Sequence, residues 1–121
     1  MRKRILVVED QEDSRQIVRD LLTANDYEMT EAKNGEEALA AAAKERPDLI
    51  LMDIQLPVMD GYEATRRIKA DPSLSSIPII VVTSYALSGD EEKARAAGCN
   101  DFVPKPYSPR QLLAKIREYL R

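Results

Sequence analysis

Three segments of the chain are apolar at every position and then stop abruptly at polar residues. They are residues 5–8, 49–52 and 79–82. Strands that are apolar on both faces are typical of the middle of a parallel sheet, which helices cover on each side. Residues 27–32 alternate polar and apolar side chains, as a half-exposed edge strand does. Residues 101–104 form a shorter candidate strand, so the pattern predicts five strands in all.

Helical patterns separate these strands. Ile17, Val18, Leu21 and Leu22 share one helical face, which predicts an amphipathic helix after the first strand. Each of four later helices is predicted from a polar capping residue that is followed three positions later by Glu or Gln. These pairs are Asn34 with Glu37, Asp60 with Glu63, Ser88 with Glu91, and Ser108 with Gln111. Gly98 is placed to end the fourth helix.

The regular alternation of strands and helices predicts the fold class. We expect one α/β domain over residues 1–121, a (βα)5 doubly wound parallel sheet with right-handed crossovers. A chain of this length can bury a proper core as one domain. In open sheets of this kind, ligands bind outside the carboxyl ends of the strands, where the strand order reverses.

Polar side chains stand at the predicted carboxyl ends of four strands. Glu9 and Asp10 follow the first strand, whereas Asp53, Thr83 and Lys105 follow three others. Each of them alone has a simple explanation as a solvated turn, a helix cap, a strand-end hydroxyl or a loop lysine. Because the carboxyl ends of parallel strands meet at one edge, the whole set is instead expected to form one site. An ionised Asp53 at the end of a buried strand is costly unless a partner compensates its charge.

Three carboxylates at one edge favour a divalent cation. Mg2+ binds a few carboxylates, a carbonyl and water, and Mn2+ suits the same oxygen ligands. Glu9, Asp10 and Asp53 could supply the charge, and the backbone carbonyl of Gln55 could be a neutral ligand. Without a cation, such crowding would raise the pKa of at least one of these carboxyl groups.

Asp53 is also a candidate nucleophile, since carboxylates can form aspartyl phosphates. A cation and the ammonium group of Lys105 would offset the charge on the phosphoryl oxygens, so that Asp53 could attack an activated phosphorus in line. Thr83 could then donate a hydrogen bond to a phosphoryl oxygen. The four residue types together predict a site for a cation and a phosphoryl group.

Composition excludes several other kinds of chemistry. The chain has no histidine, which rules out a Ser-His or Cys-His catalytic pair, an imidazole zinc ligand and a phosphohistidine. Cys99 is the single cysteine, so an internal disulfide and a thiolate cluster are also excluded. The net charge of -3, without a basic stripe, argues against nucleic acid as a partner. No apolar run suits a signal peptide or a membrane span, and we predict a cytoplasmic protein.

Four stretches of the sequence resemble the receiver domain of response regulators, the phosphoacceptor module of two-component signalling. They are residues 5–10, 48–61, 80–83 and 105–106, and the similarity extends over the whole chain. Within the family, the chain is most similar to stand-alone receivers of the DivK type. The resemblance implies a CheY-like, flavodoxin-like sheet with the strand order 2-1-3-4-5, an order that the chemotaxis receiver CheY exemplifies.

The resemblance also implies a role for each residue at a matching position. Asp53 matches the phosphoacceptor, and Lys105 matches the lysine that contacts the phosphoryl group. The Lys105-Pro106 peptide bond is expected to be cis. The remaining matches are Glu9, Asp10 and the Gln55 carbonyl as Mg2+ ligands, Thr83 and Phe102 as the switch pair, and Gln55 and Tyr85 as residues that tune the phosphorylated lifetime.

The expected function is therefore phosphorelay signalling. Because the chain has no histidine, a partner histidine kinase or phosphotransfer protein would donate the phosphoryl group, docking on the helix that begins near Asp13. The signal would pass through the face formed by the fourth helix, fifth strand and fifth helix to an unknown protein target, with a homodimer as one possible form. The chain stops at Arg121 after the last helix, so output by protein contact is expected, although the receiver part of a larger regulator or hybrid kinase would look the same.

The alternative function is an Mg2+-dependent phosphohydrolase that forms an aspartyl phosphate with external substrates. Such enzymes typically carry a second Asp two positions after the nucleophile as the general acid, and Gln55 occupies that position here. The chain also has no insertion that could form a cap over a substrate. These two features favour a signalling protein that catalyses only its own phosphorylation and dephosphorylation.

Overall fold

The chain forms a parallel β-sheet with helices on both faces. The computed structural model describes residues 2–83 and 90–120, and the structural statements below concern these residues. The strands are β1 (Arg4–Val8), β2 (Glu28–Ala32), β3 (Leu49–Asp53), β4 (Ile79–Thr83) and β5 (Asp101–Pro104). The helices are α1 (Glu12–Ala24), α2 (Gly35–Glu45), α3 (Gly61–Ala70), α4 (Asp90–Ala96) and α5 (Pro109–Tyr119).

The strand order across the sheet is β2-β1-β3-β4-β5, and every neighbouring pair is parallel. The predicted (βα)5 doubly wound fold and its strand order are therefore confirmed. The chain order reverses between β1 and β3, which lie side by side in the middle of the sheet. In folds of this kind, this reversal marks the edge at which ligands bind.

The central strands are buried on both faces, as their apolar sequences predict. Along β1, Ile5 and Val7 pack in one core, whereas Leu6 and Val8 pack in the other. This alternation follows from the two-residue period of a strand. The first core includes Leu112 and Ile116 of α5, and the second includes buried residues of α2, α3 and α4: Ala38, Ala42, Ala64, Ile68 and Ala94.

Helix α1 has a different buried stripe from the predicted one. Val18 and Leu22 are buried as expected, but 62% of the surface of Ile17 is exposed. Arg15 completes the stripe and is only 5% exposed. The prediction was wrong for Ile17 because Arg15, Val18 and Leu22 follow the helical repeat more closely than the apolar residues alone.

The predicted helix starts are confirmed where the structure describes them, but only one has the full reciprocal capping box. At α5, Ser108 accepts a hydrogen bond from the amide of Gln111 at 3.0 Å, and the Gln111 side chain accepts from the amide of Ser108. Asn34 and Asp60 also accept from the amides three residues later. Their Glu partners bond elsewhere, because Glu37 accepts from the amide of Lys33 and Glu63 pairs with Arg66 and Arg67.

The predicted start of the fourth helix at Ser88 lies outside the described residues. Its predicted end is confirmed, since α4 ends at Ala96 and Gly98 has a φ of 104°. Such a left-handed conformation after a helix favours glycine. No helix within residues 2–83 and 90–120 has both the length and the apolar character that crossing a bilayer requires.

The loop between β3 and α3 contains a strained residue. Val58 has a φ of 69°, and 74% of its surface is exposed. The left-handed region is unfavourable for a side chain that branches at Cβ, and no burial at Val58 offsets this strain. The loop is nevertheless held in place, because Gly61 donates a hydrogen bond to the carbonyl of Ile54 at 2.9 Å.

Replacing this valine with asparagine tests the strain. Val58→Asn is expected to raise the free energy of unfolding by about 1 kcal/mol, since Asn tolerates a positive φ much better than a β-branched residue does. Urea unfolding followed by circular dichroism measures the change. Val58→Thr is the control, because it makes the side chain polar but keeps the branch at Cβ, and it should bring no gain. Equal stabilisation by both variants would assign the effect to the lost apolar surface rather than to the backbone.

Candidate functional site

Three carboxylates meet at the carboxyl edge of the sheet. Glu9 and Asp10 directly follow β1, and Asp53 is the last residue of the neighbouring strand β3. One carboxylate oxygen from each of the three residues lies within 4.8 Å of the others. Glu9 and Asp53 are only 6% and 8% exposed. The structure thus brings together the three acidic residues that the sequence analysis selected.

Lys105 lies between two of these carboxylates. Its Nζ atom is 3.0 Å from Oε1 of Glu9 and 3.4 Å from Oδ2 of Asp53. The lysine follows β5, and its amide donates a hydrogen bond to the carbonyl of Thr83 at 2.6 Å. The Lys105-Pro106 peptide bond is cis. The ammonium group of Lys105 thus contacts Glu9 and Asp53, which are 96 and 52 positions away from it in the sequence.

The electrostatics of the cluster are set first by burial and then by the contact between Glu9 and Asp53. Burial, followed by the contact with the Glu9 carboxylate, raises the pKa of Asp53 to about 7, although Lys105 opposes the shift. Burial also acts to raise the pKa of Glu9, but the hydrogen bonds from Asp53 and Lys105 outweigh it and hold that pKa below its usual value. The same two carboxylates keep the pKa of Lys105 above its ordinary value despite burial. Near neutral pH, Asp53 therefore retains a proton more readily than an exposed carboxyl group, and its contact with Glu9 lets the two residues share it.

The donor set fits a hard divalent cation. Three carboxylates within reach of one another offer the oxygen ligands that Mg2+ prefers, and a cation would relieve the repulsion that raises the pKa of Asp53. Gln55 lies two residues beyond Asp53 with an exposed side chain, and its amide is 3.4 Å from Oδ1 of Asp53. The backbone of the β3–α3 loop thus runs directly beside the carboxylate.

The two predicted switch residues lie on neighbouring strands. Thr83 ends β4 and is 1% exposed, and it is opposite Pro104 in the register of β4 and β5. Phe102 is opposite Val81 and is half-buried against the core that contains α2, α3 and α4. Tyr85, the predicted lifetime residue, lies outside the described residues, as does Ser84.

Sequence reasoning missed Arg15, which is part of the same edge. Its guanidinium donates a hydrogen bond to the backbone carbonyl of Glu9 at 2.7 Å and another to Glu31 of β2 at 2.9 Å. The only sequence signal is its spacing of three and seven residues from the buried Val18 and Leu22. A basic residue at such a position ordinarily indicates a solvated helix face.

The comparisons with known proteins agree with this architecture. The sequence profile of the response regulator receiver domain matches residues 5–117. The polar-differentiation response regulator DivK of Brucella anthropi is 46% identical over 120 residues, which cover 99% of this chain and 98% of that protein. Both the fold and the similarity to DivK therefore agree with the resemblance seen in the sequence.

Two solved structures are also similar over nearly the whole chain. The receiver domain of a Pseudomonas aeruginosa sensor histidine kinase, which has a magnesium ion in its active-site cleft, has a TM-score of 0.92 and 37% identity, covering 99% of this chain and 98% of that one. A chemotaxis CheY protein of Vibrio cholerae has the same TM-score and 30% identity, covering 98% and 99%. The matched profile, the relatives and the fold lead to one conclusion: the chain belongs to the response regulator receiver domain family of two-component signalling.

Proposed function

We propose that this receiver accepts a phosphoryl group on Asp53 from a partner protein and later loses it by hydrolysis. The observation that carries the proposal is the position of the Asp53 carboxylate, which is buried at the end of β3 and contacts both Glu9 and the ammonium group of Lys105. A carboxylate that needs compensation for its charge and faces a lysine is suited to receive a phosphoryl group.

Glu9, Asp10 and Asp53, with the backbone carbonyl of Gln55, would hold the Mg2+ ion. When bound, Mg2+ would neutralise charge on the phosphoryl oxygens, and Mn2+ could serve in the same ligand set. The carboxylate cluster and the magnesium ion in the related Pseudomonas receiver support this proposal. Carboxylates that hold the cation must be ionised, so Asp53 must lose its shared proton before it can react.

In the transfer step, an ionised oxygen of Asp53 forms a bond to phosphorus while the bond from phosphorus to the donor nitrogen breaks. Lys105 would contact the phosphoryl oxygens, and the distance of 3.4 Å between its Nζ atom and Oδ2 of Asp53 supports this role. Thr83 would follow the phosphoryl group from the end of β4. The domain thus catalyses its own phosphorylation, and water later cleaves the acyl phosphate.

The donor is expected to be a phosphohistidine on another protein, because this chain contains no histidine. An exposed apolar surface beside Lys105 supports docking there. It borders a groove of about 460 Å3 between α1 and the segment after β5, lined by Ser14, Ile17, Lys105, Pro106, Tyr107 and Pro109. Exposure of Ile17, at 62%, is unusual for a large aliphatic side chain on an amphipathic helix. A partner helix that covered this surface would bring its histidine next to Lys105.

The phosphorylated state is proposed to act through the α4-β5-α5 face. Movement of Thr83 and Phe102 would shift the population of conformations on that face. A groove of about 340 Å3 between β5 and α5 starts at Phe102 and is continued by Val103, Pro104, Gln111, Ala114, Lys115 and Glu118. A downstream protein, or a second copy of the receiver, would bind there. As a regulator of this kind, the protein is expected to work in the cytoplasm.

Intact-mass spectrometry after incubation with a small acyl phosphate and Mg2+ tests the proposal. The wild-type protein should gain one phosphoryl group, and Asp53→Asn should gain none. Asp20→Asn is the matched control, because Asp20 is an exposed carboxylate on α1, and it should be phosphorylated like the wild type. An unmodified wild-type protein, or an adduct that persists in Asp53→Asn, would contradict the assignment. Repeated turnover of a phosphate monoester would instead favour the phosphohydrolase.

A further inference from the structure

Arg15 has an unusual environment for a helix arginine. It is 5% exposed, although a guanidinium cannot lose its charge and is expensive to bury without acceptors. Its three acceptors come from three parts of the chain. They are the carbonyl of Glu9 after β1, the carboxylate of Glu31 on β2 and the carboxylate of Glu12 in the first turn of α1.

The contact with Glu9 holds the backbone at the residue that begins the Glu9-Asp10 pair of the acidic cluster. The amide of Glu9 still bonds to β2, since it donates to the carbonyl of Ala32 at 3.0 Å. Its carbonyl lies beyond the last residue pair between β1 and β2, which is Val8 with Ala32, and Arg15 supplies the donor there at 2.7 Å. Both backbone polar groups of Glu9 are thereby held. The fixed carbonyl also sets the peptide plane that joins Glu9 to Asp10.

We propose that Arg15 is a positioning residue for the metal site, which holds the Glu9-Asp10 peptide so that both carboxylates lie toward Asp53 before a cation binds. The inference rests on the proposed function, because it assumes that the cluster binds Mg2+. Arg15 itself does not touch the cation. It acts through the backbone, as the groups that orient metal ligands commonly do.

The direction of the change in Mg2+ affinity separates this role from two simpler ones. If Arg15 acted only as a nearby positive charge, its removal would strengthen the binding of a cation. If Arg15 only stabilised the fold, the folded fraction of a variant would bind Mg2+ like the wild type. A positioning role predicts weaker binding despite the removal of a positive charge. The three roles thus predict stronger, unchanged and weaker binding of Mg2+, so a titration of the variant distinguishes them.

Arg19 provides the matched control. It also pairs with Glu31 and Glu12, at 2.6 Å and 3.5 Å, and it belongs to the same helix. Among the described residues, its hydrogen bonds go to these two carboxylates and to Gln16, and not to Glu9. Arg19→Met removes the same charge from the same ion-pair network and leaves the Glu9 carbonyl bonded to Arg15.

The experiment is calorimetric titration of the metal-free full chain with Mg2+, at a temperature where urea unfolding shows that each variant is folded. Arg15→Met is expected to weaken Mg2+ binding by about tenfold, and Arg19→Met should stay within about twofold of the wild type. If Arg15→Met does not fold, Arg15→Lys is measured instead. The ammonium group of lysine keeps the charge but cannot donate to Glu9 and Glu31 together as the guanidinium does. The Arg15→Lys variant should therefore also bind Mg2+ more weakly than the wild type. Unchanged or tighter binding by the folded variant, or equal weakening in Arg19→Met, would overturn the proposal. A wild-type protein that fails to bind Mg2+ would instead refute the proposed function, whereas normal wild-type binding with an unaffected Arg15→Met refutes only the role of Arg15.

Discussion

In metal-free buffer, the free energy of unfolding is expected to fall by about 3 kcal/mol as the pH rises from 4.5 to 7. Asp53 is the cause, since its pKa is about 7 in the folded protein and 3.8 in a model peptide. Between these values, the folded state retains a proton that the unfolded state has lost, so a rise in pH favours unfolding. Well above pH 7 both states are ionised and the loss is complete. Glu9, whose folded pKa is lowered, acts in the opposite direction mainly near and below its ordinary value of 4.5.

The composition of the chain limits the number of other groups that titrate in this pH range. No histidine is present, so no imidazole titrates in this window, and the glutamates titrate mainly at its acidic end, near their ordinary value of 4.5. Urea unfolding in EDTA at several pH values, compared between the wild type and Asp53→Asn, therefore isolates the Asp53 contribution. Saturating Mg2+ should restore the lost stability at pH 7, because the cation binds the folded, ionised cluster and not the unfolded chain.

Asp53→Asn supplies the decisive comparison for this titration. The neutral amide is expected to abolish the downward slope and to make the metal-free protein more stable than the wild type at pH 7 by about 3 kcal/mol. Asp20→Asn should keep the wild-type slope, since Asp20 lies on the exposed face of α1. A wild-type stability that stays constant or rises across the window would contradict the proton sharing between Glu9 and Asp53.

Much of the fold could be predicted from simple patterns. The strands were predictable because uninterrupted apolar segments such as residues 49–52 satisfy both faces of a central strand. The meeting of Glu9, Asp10 and Asp53 was predictable as well, since parallel strands end at a common edge. The crowding of carboxylates predicts that the pKa of at least one of them is raised, but not which one. The assignment of the raised pKa to Asp53 depends on how deeply that carboxylate is buried and on the distances from Lys105 to the two carboxylates, and the sequence contains neither.

The features that sequence reasoning missed share a physical cause, which is competition between contacts. Arg15 is buried because three acceptors compensate its charge, and no hydropathy pattern contains that information. Ile17 was expected on the same helical face as Val18 and Leu22, but it lies outside the buried stripe that Arg15 completes. Glu63 was expected to cap α3 reciprocally, yet its carboxylate pairs with two arginines on the next turn of the same helix.

Gly61→Ala is expected to lower the free energy of unfolding by about 3 kcal/mol and to disturb the phosphoacceptor itself. A Cβ atom at Gly61 would lie 2.1 Å from the carbonyl oxygen of Asp53 and 2.9 Å from the Cα of Ile54. These are backbone atoms at the end of β3, so a rotamer change cannot relieve the clash and the strand end must move. Such a shift would displace the Asp53 carboxylate from Glu9 and Lys105.

The same substitution at Gly35 separates loss of stability from loss of geometry. A Cβ atom there would lie 2.3 Å from the carbonyl oxygen of Met59, a backbone clash of similar severity at a point six residues beyond Asp53. Both variants should be destabilised in urea. When phosphorylation by a small acyl phosphate is measured on the folded fraction, Gly61→Ala should react at least about tenfold more slowly, because small misplacements of reacting groups are expensive, whereas Gly35→Ala should react like the wild type. Equal rates in the two variants would mean that the end of β3 absorbs the displacement without moving the carboxylate. The position of Asp53 would then depend on its contacts with Glu9 and Lys105 and not on the close approach of α3.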